Sequence, residues 1–401
     1  MDAGLAGTEL LISPAPAAHF GVGAVARLPG IVRDAGRDIV VLVTDAGLAA
    51  TPAVGGVAGV LEAAGIAVTV FSGVHPNPTT DDLADGAAAV SAAAASAAAG
   101  PAAPRRVALV AVGGGSPIDA AKGIALAAVN PQRGRDLDYR GEFARPALPI
   151  VAVPTTAGTG AETNAFGVVT DPAARRKFYV GHASSLPVAA VLDPRLTVGL
   201  PPAATAATGL DALTHALESY LSVRANPWSD AIALQVIRMI AAHLPRACAD
   251  GHDLEARAQM LLAAHMAGVG MATTGLGLCH AIGHAIGGRF DVAHGVALTM
   301  VLPHVLRFNA AVREQRLAEV AAVLGAADAA RSAGWNARAA IDALETLAGQ
   351  VAMTRRLADL GLAGADLDQI AADALDDEVL ANTPRPPTAD DIRALLAEAA
   401  R

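Results

Sequence analysis

The first half of the chain alternates short apolar runs, rich in valine and isoleucine, with longer alanine-rich segments. Five of these runs are predicted strands, at residues 38–48, 66–74, 106–112, 149–156 and 189–194. Residues 57–64 and the segment from Asp81 onward carry helical patterns instead. Because strands and helices alternate, we expect a parallel sheet with helices on both faces. The alanine-rich stretch at residues 91–104 is predicted to end a helix and continue as a linker.

Helical periodicity dominates the chain after about Pro201. Its clearest segments cover residues 206–221, 228–244 and 256–271, and further helices are expected as far as Arg401. The pattern gives no convincing strand in this half. A chain of 401 residues is also too long for one ordinary core. The sequence therefore predicts an α/β domain at residues 1–198 and an all-helical domain at residues 199–401.

Composition narrows the possible partners and the compartment. Aromatic residues make up only 3% of a chain that is 53% hydrophobic, so Ala, Val, Leu and Ile must fill the cores. A net charge of -9 argues against nucleic acid or an anionic membrane as the main partner. The two cysteines, Cys248 and Cys279, form no CxxC pair and no disulfide framework, which suits a reducing cytoplasm. We expect neither a signal peptide nor a transmembrane span.

A glycine-rich turn is the first candidate for nucleotide binding. The sequence GGGSPID at residues 113–119 stands where a predicted strand passes into a helix. Glycines allow the backbone to approach a ligand closely, and the free N–H groups of a helix start favour phosphate. The motif is not GxGxxG, however, so a tight turn without a ligand remains an alternative.

Two further turns could contact the same nucleotide. Asp45 follows a predicted strand, where a carboxylate can accept hydrogen bonds from ribose hydroxyls and would repel a ribose phosphate. This favours NAD over NADP, although a helix N-cap would explain Asp45 equally well. The threonine-rich turn at residues 155–162 offers hydroxyl and amide donors to a cofactor. Its alternative is an ordinary loop that ends in a helix cap.

Histidines and one aspartate at helical spacing are the candidates for a metal site. Asp211 and His215 are four residues apart, as are His280 and His284, so each pair shares one helix face. His294 follows a Gly-Gly break. A single histidine on an apolar helix is more often a hydrogen-bonded core residue. Two such pairs plus His294 are harder to explain by packing, and a carboxylate with three imidazoles suits a first-row divalent metal. Glu218 is expected to support the site or to lie at the surface rather than to bind the metal.

Several motifs in fixed order carry a family resemblance. They include FGVGAVARLP, PNPT, GGGSPIDAAK, PTTAGTGAE, RRKF, LPPAATAATGLDALTHALESY, GLGLCHAIGHAIGG, HGVALTMVLPHVLRFN and ALDDEVLANTPRPPTADDI. With these, the chain resembles the iron-containing (group III) alcohol dehydrogenase family, close to its lactaldehyde reductase and 1,3-propanediol dehydrogenase branch. The resemblance runs nearly end to end. It implies a dehydroquinate synthase-like fold, an active site in the cleft between the two domains, and commonly a dimer.

The resemblance also implies roles for individual residues. The residues that match the family's ligands to Fe²⁺, or sometimes Zn²⁺, are Asp211, His215, His280 and His294. His284 matches a catalytic histidine between the metal and the nicotinamide. The positions that match NAD-binding residues are Asp45, Asn77, Gly113, Gly114, Gly115, Ser116, Thr155, Thr156, Thr159 and Lys177. The expected reaction is reversible hydride transfer between NAD(H) and a short primary alcohol or aldehyde.

The chain departs from the family pattern near the expected substrate pocket. The run GGRFDVAH at residues 287–294 puts Arg289 and Phe290 where an aromatic after a small residue is commoner, and residues 271–275 carry small side chains. Arg289 could meet an anionic substrate group, or it could be a rim arginine, which general exposure favours.

Rival functions are a metal-independent reductase of the maleylacetate reductase kind, a 4-hydroxybutyrate-type hydroxyacid dehydrogenase, and a lyase or polyol dehydrogenase of the wider superfamily. A non-catalytic metal- or nucleotide-binding protein is a rival of another class. Asp211, together with the complete ligand set, argues against the metal-independent and non-catalytic alternatives.

Overall fold

The computed structural model describes residues 12, 15–97, 106–174 and 176–401. Its strands are β1 (Ala17–Phe20), β2 (Ile39–Asp45), β3 (Ala67–Val74), β4 (Val107–Gly113), β5 (Ile150–Pro154), β6 (Phe166–Asp171), β7 (Arg176–Gly181) and β8 (Ala189–Leu192). Six of them form one parallel sheet in the order β1-β8-β5-β4-β2-β3, and β6 and β7 form a separate antiparallel hairpin. The parallel sheet was predicted, whereas β1 and the hairpin were not.

Helices cover both faces of the sheet, as expected. They are α1 (Leu28–Asp34), α2 (Ala46–Ala49), α3 (Pro52–Ala63), α4 (Thr80–Ala97) and α5 (Gly115–Ala127). Side chains alternate along β2: Val41 and Val43 join the core beneath α4 and α5, while Val40 and Leu42 join the core beneath α1 and α3. Strands buried on both faces read as continuous apolar runs, which is the pattern that the sequence shows. The predicted linker at residues 91–104 begins within α4, and its part beyond Ala97 lies outside the described residues.

The second half of the chain is helical throughout. Its helices are α6 (Pro202–Leu221), α7 (Pro227–Ala249), α8 (Leu254–Thr274), α9 (Leu278–Phe290), α10 (His294–Val323), α11 (Ala333–Gln350), α12 (Ala365–Leu375) and α13 (Ala389–Ala399). One continuous apolar core joins these helices. Residues 202–401 are all described and contain no strand, which confirms the predicted all-helical half. The boundary at residue 198 falls between β8 and α6, and its exact place stays a prediction.

Within the described part of the chain one helix, α10, is long and apolar enough to cross a membrane by length and composition. The helices α8 and α9 together pass the same test across a bend of 108°. Such a result is weak evidence, because the core helices of a helical bundle share these properties. Here α10 packs against α6, α9 and α11, and it carries part of the bundle core.

The two halves touch at several points along a cleft. Asn77 Nδ2 donates to Asp291 Oδ1 at 3.1 Å, and Arg140 pairs with Glu378. Asp291 adopts a left-handed backbone conformation (φ 53°), which aspartate tolerates better than most residues. The contact of Asn77 with Asp291 places the loop between α9 and α10 against the turn that follows β3.

Gly295 allows the start of α10 to approach α6 closely. A Cβ atom at this position would lie 2.1 Å from the carbonyl oxygen of Ala207. The absence of a side chain therefore fixes how near His294, the preceding residue, comes to α6. A glycine is required here by contact and not by backbone conformation.

Replacing Gly295 by alanine should push α10 away from α6. We expect a cost of about 1–3 kcal/mol for such an overpacked contact, seen as a lower thermal midpoint. Gly288→Ala is the matched control, because nothing lies within 4 Å of a Cβ atom built on that helical glycine. The control should be neutral or slightly stabilising. Equal midpoints for Gly295→Ala and the wild type would contradict the close approach.

Candidate metal and nucleotide site

Side chains from α6, α9 and α10 converge on one point at the edge of the helical half. Asp211 Oδ1 lies 3.3 Å from His215 Nε2 and 3.6 Å from His280 Nε2. Its distance to His294 Nε2 is also 3.6 Å. The ligand atoms of Asp211, His215 and His280 all lie within 4.8 Å of one another. The structure thus brings together the four residues that the sequence singled out as metal ligands.

Unpaired buried atoms at this point fit a cation. Asp211 Oδ1 and His280 Nε2 are shielded from solvent and make no hydrogen bond within the part of the chain that is described. Leaving such atoms without a partner costs about 1–3 kcal/mol each. A divalent ion bound among them would satisfy both, and one carboxylate with three imidazoles is a donor set that Fe²⁺ and Zn²⁺ accept. The side chain of His294 is 39% exposed, so the site opens on that side.

At neutral pH two of the three imidazoles can bind a metal directly, and the third must first lose a proton. Burial lowers the pKa of His215 to about 4. The pKa of the more exposed His294 is also lowered, by desolvation and by the neighbouring histidines, so both imidazoles are neutral at pH 7. Burial would raise the pKa of Asp211, but the surrounding histidines hold it well below its usual range. Burial also opposes a charged His280, yet Glu218 and Asp211 outweigh it and raise its pKa to about 9. Metal binding must therefore displace a proton from His280.

Glu218 fixes the orientation of His280. Its Oε2 accepts hydrogen bonds from His280 Nδ1 at 2.6 Å and from the Gly277 N–H at 2.9 Å. Its Oε1 accepts from the Cys279 N–H at 2.6 Å. With Nδ1 held in this way, Nε2 faces Asp211. A carboxylate behind a metal-binding imidazole sets the ring orientation and raises its basicity, which agrees with a supporting role for Glu218.

His284 lies one turn beyond His280 on α9 and is partly exposed. Its side chain is 23% exposed. Its ring stacks near that of His294 at 5.5 Å between centroids and meets the edge of His280 at 5.9 Å. On the far side, Nδ1 lies 2.7 Å from Asp377 Oδ2. Asp377 carries no signal in the sequence, because an acidic residue in a loop is usually solvated.

A cleft of about 780 Å³ lies at the carboxyl ends of β2, β4 and β5. Among the predicted cofactor residues, its lining includes Asp45, Gly114, Gly115, Ser116, Thr155 and Thr156. Open parallel sheets bind nucleotides at such an edge. Gly113, at the end of β4, has φ 154°, and a Cβ atom there would lie 2.5 Å from the Pro117 ring. Glycine is therefore needed at Gly113 to form the turn.

Four predicted cofactor residues are not among those that line this cleft. Gly113 shapes the turn, and Thr159 Oγ1 accepts a hydrogen bond from the Ala161 N–H at 3.3 Å. Lys177 Nζ donates to Asn77 Oδ1 at 3.1 Å, close to the contact between Asn77 and Asp291. Burial lowers the pKa of Lys177, and the charge of Asp291 opposes this. Asn77 and Lys177 thus lie on the side of the cleft nearer the histidines.

Asp45 is a helix N-cap that also lines the cleft, and its contact with a ribose stays a prediction. Its Oδ1 accepts a hydrogen bond from the Leu48 N–H at 2.8 Å and caps α2. The same residue lines the nucleotide cleft. The helix cap fixes the carboxylate at the end of β2, where a ribose would approach.

Two further charged side chains, Arg289 and Lys122, are held by contacts within the protein. The Arg289 guanidinium donates two hydrogen bonds to Asp373 Oδ2 on α12, at 2.8 and 2.6 Å. Arg289 is therefore a rim arginine paired with a carboxylate of its own chain. Nothing in this contact supports a role in binding a substrate anion.

Lys122, which the sequence did not mark out, is fully buried and donates to the carbonyl of Ala161 at 2.7 Å and to Asn164 Oδ1 at 2.9 Å. It ties α5 to the threonine-rich turn.

Family models, curated relatives and solved structures of alcohol dehydrogenases match this chain along nearly its whole length. Residues 15–194 match the family model described as iron-containing alcohol dehydrogenase, and residues 205–400 match its C-terminal counterpart. The chain is 36% identical to the NAD-dependent methanol dehydrogenase of Bacillus methanolicus over 386 residues, which covers 96% of this chain and 98% of the relative. It is 36% identical to the lactaldehyde reductase of Escherichia coli K12 over 377 residues, which covers 94% and 95%. A solved structure of 1,3-propanediol oxidoreductase superposes with a TM-score of 0.92 at 36% identity, covering 98% of this chain and 100% of the other.

Replacing Glu218 by glutamine should loosen the metal site. The carboxylate now accepts hydrogen bonds from three N–H donors, and the amide nitrogen of glutamine would face at least one of them. His280 would therefore lose its fixed orientation. We expect divalent-metal affinity to fall about 10- to 100-fold, measured by competition with a chromogenic chelator. Glu345→Gln is the control, because it removes a carboxylate from an exposed pair with Arg307. Unchanged affinity in Glu218→Gln would show that Glu218 does not hold the ligand.

Proposed function

The chain belongs to the iron-containing alcohol dehydrogenase family, and from that membership we propose how its residues share the reaction. The protein is an NAD-dependent alcohol dehydrogenase that interconverts alcohols and aldehydes. Its cofactors are NAD and a divalent metal, iron in this family. The proposal concerns the ligands, the catalytic histidine, the nucleotide contacts and a preference for short primary alcohols. Relatives named for methanol, lactaldehyde and 1,3-propanediol support short substrates.

The metal ligands are proposed to be Asp211, His215, His280 and His294. The observation that carries this assignment is the pair of buried atoms, Asp211 Oδ1 and His280 Nε2, that face the same point without hydrogen-bond partners within the described part of the chain. When bound, Fe²⁺ (or Zn²⁺) acts as a Lewis acid that polarises the substrate oxygen. Glu218 keeps His280 aimed at the ion. The exposed side of His294 leaves room for a substrate to enter.

His284 is proposed to be the catalytic residue that moves the substrate proton. It lies outside the proposed ligand set, its Nδ1 pairs with the Asp377 carboxylate, and its ring stacks beside that of His294. During alcohol oxidation His284 accepts the hydroxyl proton, and during aldehyde reduction it returns a proton.

The nucleotide is proposed to lie along the cleft at the carboxyl ends of β2, β4 and β5. Gly114, Gly115 and Ser116 place the N-terminus of α5 against the pyrophosphate, where free N–H groups favour negative charge. Gly113 shapes that turn, and Asp45 accepts from the adenosine ribose. The hydroxyls of Thr155, Thr156 and Thr159 hold the part nearer the helical half, with Asn77 and Lys177 beside the nicotinamide.

The geometry weighs against the rival functions. A metal-independent reductase would not need the unpaired buried atoms at Asp211 and His280. A hydroxyacid dehydrogenase needs a cation for the substrate carboxylate, and Arg289 is engaged with Asp373. The family match disfavours a lyase or a non-catalytic binding protein.

The family resemblance, the two thiols and the net charge bear on assembly, location and partners. We infer a homodimer from the family resemblance. A cytoplasmic location agrees with the free thiols of Cys248 and Cys279. Small-molecule alcohols and aldehydes are the expected partners, and the acidic charge disfavours nucleic acid and anionic membranes.

Removing one proposed ligand should abolish metal and activity together. His280→Ala should stay folded but fail to retain Fe²⁺ after anaerobic reconstitution, measured by metal analysis. Its turnover of short aldehydes with NADH should fall at least about 100-fold, because the metal supplies several kcal/mol. His252→Ala is the control, because that side chain is exposed. A His280→Ala protein that keeps its metal and full turnover would refute the ligand assignment.

Asp45 should set the preference for NADH over NADPH. Asp45→Asn keeps the helix cap, since asparagine caps about as well as aspartate, but it removes the charge that repels a ribose phosphate. We expect the ratio of kcat/KM for NADH to that for NADPH to fall about tenfold or more, because a close like charge costs a few kcal/mol near a protein surface. Asp34→Asn, at an exposed site, is the control. A wild type that prefers NADPH would contradict the role of Asp45.

A further inference from the structure

Each carboxylate oxygen of Asp377 makes its own hydrogen bond. The residue lies between α12 and a short 3-10 helix at Glu378–Asn382. Its Oδ1 accepts a hydrogen bond from the Val379 N–H at 3.1 Å and so caps the 3-10 helix. Its Oδ2 lies 2.7 Å from His284 Nδ1. The cap fixes the carboxylate, and the fixed carboxylate then faces the imidazole.

This contact determines which nitrogen of His284 carries a proton. A carboxylate can only accept, so Nδ1 must donate, and in the neutral ring Nε2 is left with its lone pair. The rings of His280 and His294 stand against two other sides of His284, at 5.9 and 5.5 Å between centroids. The imidazole is therefore restrained in tautomer by Asp377 and in position by its neighbours.

The pair is partly shielded from water. The side chains of His284 and Asp377 are 23% and 16% exposed. The adjacent Glu378 turns away to pair with Arg140 of the α/β half. Among the described residues, His284 is the one basic side chain that pairs with Asp377. A hydrogen bond to a carboxylate in such a setting is stronger than one between neutral groups.

We propose that Asp377 is a positioning residue that holds His284 with Nδ1 protonated, so that Nε2 exchanges the substrate proton. In alcohol oxidation the O–H bond breaks and an Nε2–H bond forms, while the hydride leaves the carbinol carbon for NAD⁺. The proton then passes from Nε2 to water, and the Nδ1–H bond stays intact throughout. Aldehyde reduction runs the same steps in reverse. This inference rests on the proposed role of His284.

Asp377→Asn separates this role from a structural one. Asparagine retains the helix cap, but its amide would present N–H donors to Nδ1 and so favour the tautomer with the proton on Nε2. We expect kcat to fall about 10- to 100-fold, less than the 10²–10⁴-fold that a proton-transfer group contributes in total. The KM for NADH, the metal content and the thermal midpoint should stay at wild-type values. The solvent deuterium isotope effect on kcat should increase. Asp376→Asn, the same change at the exposed neighbouring residue, should leave all of these unchanged.

A double-mutant cycle with His284→Ala tests whether Asp377 acts through His284. Asp377→Asn should lower kcat strongly in the wild type and less than about twofold in the His284→Ala background. Equal losses in both backgrounds would overturn the proposal, as would a kcat loss that merely follows loss of metal or of thermal stability. Full activity in Asp377→Asn with impaired His284→Ala would refute this inference and leave the proposed function standing. Full activity in His284→Ala would refute the catalytic role of His284 and the inference with it.

Discussion

Everything around the proposed metal site depends on one buried negative charge. Asp211 is 2% exposed and sits on a helix whose neighbours are apolar. A carboxylate cannot stay ionised in such a place without nearby donors or cations. Here three imidazoles, from α6, α9 and α10, meet its Oδ1. His215 and His294 are neutral at pH 7, and His280 must give up a proton when a metal binds. A divalent cation among the four side chains would then stabilise the charge of Asp211.

The need to place a cation beside Asp211 explains the glycine at position 295 and the second buried carboxylate, Glu218, which apolar packing alone does not explain. Gly295 is tolerated at the start of α10 because it brings the preceding His294 next to α6. Glu218 is a second buried carboxylate, and burial would raise its pKa, but His280 and the N–H groups of Gly277 and Cys279 lower it. The negative charge of Glu218 then stabilises His280 with Nε2 aimed at Asp211. The α/β half contributes the proposed nucleotide cleft. Asp45 and Gly113 end the neighbouring strands β2 and β4, and the turn after Pro154 follows β5 at the same edge of the sheet.

The sequence predicted the features that depend on local pattern or spacing. Buried parallel strands gave apolar runs, and the i, i+4 pairs on α6 and α9 gave the histidine cluster. The strand β1 was missed because it has four residues and is largely exposed, so it shows no apolar run. The β6–β7 hairpin lies outside the main sheet, where Gly167 packs on Asp119 of α5. Asp377 and the pairing of Arg289 with Asp373 depend on contacts between residues more than eighty positions apart, which periodicity cannot show.

Anomalous diffraction at the iron absorption edge, from crystals of active enzyme grown without oxygen, tests the central claim most directly. The account predicts one strong peak bonded to Asp211 and to Nε2 of His215, His280 and His294 at about 2.0–2.3 Å. Glu218 and His284 should lie outside the coordination sphere. A peak elsewhere in the protein, or one that includes Glu218 or His284 in place of these ligands, would contradict it.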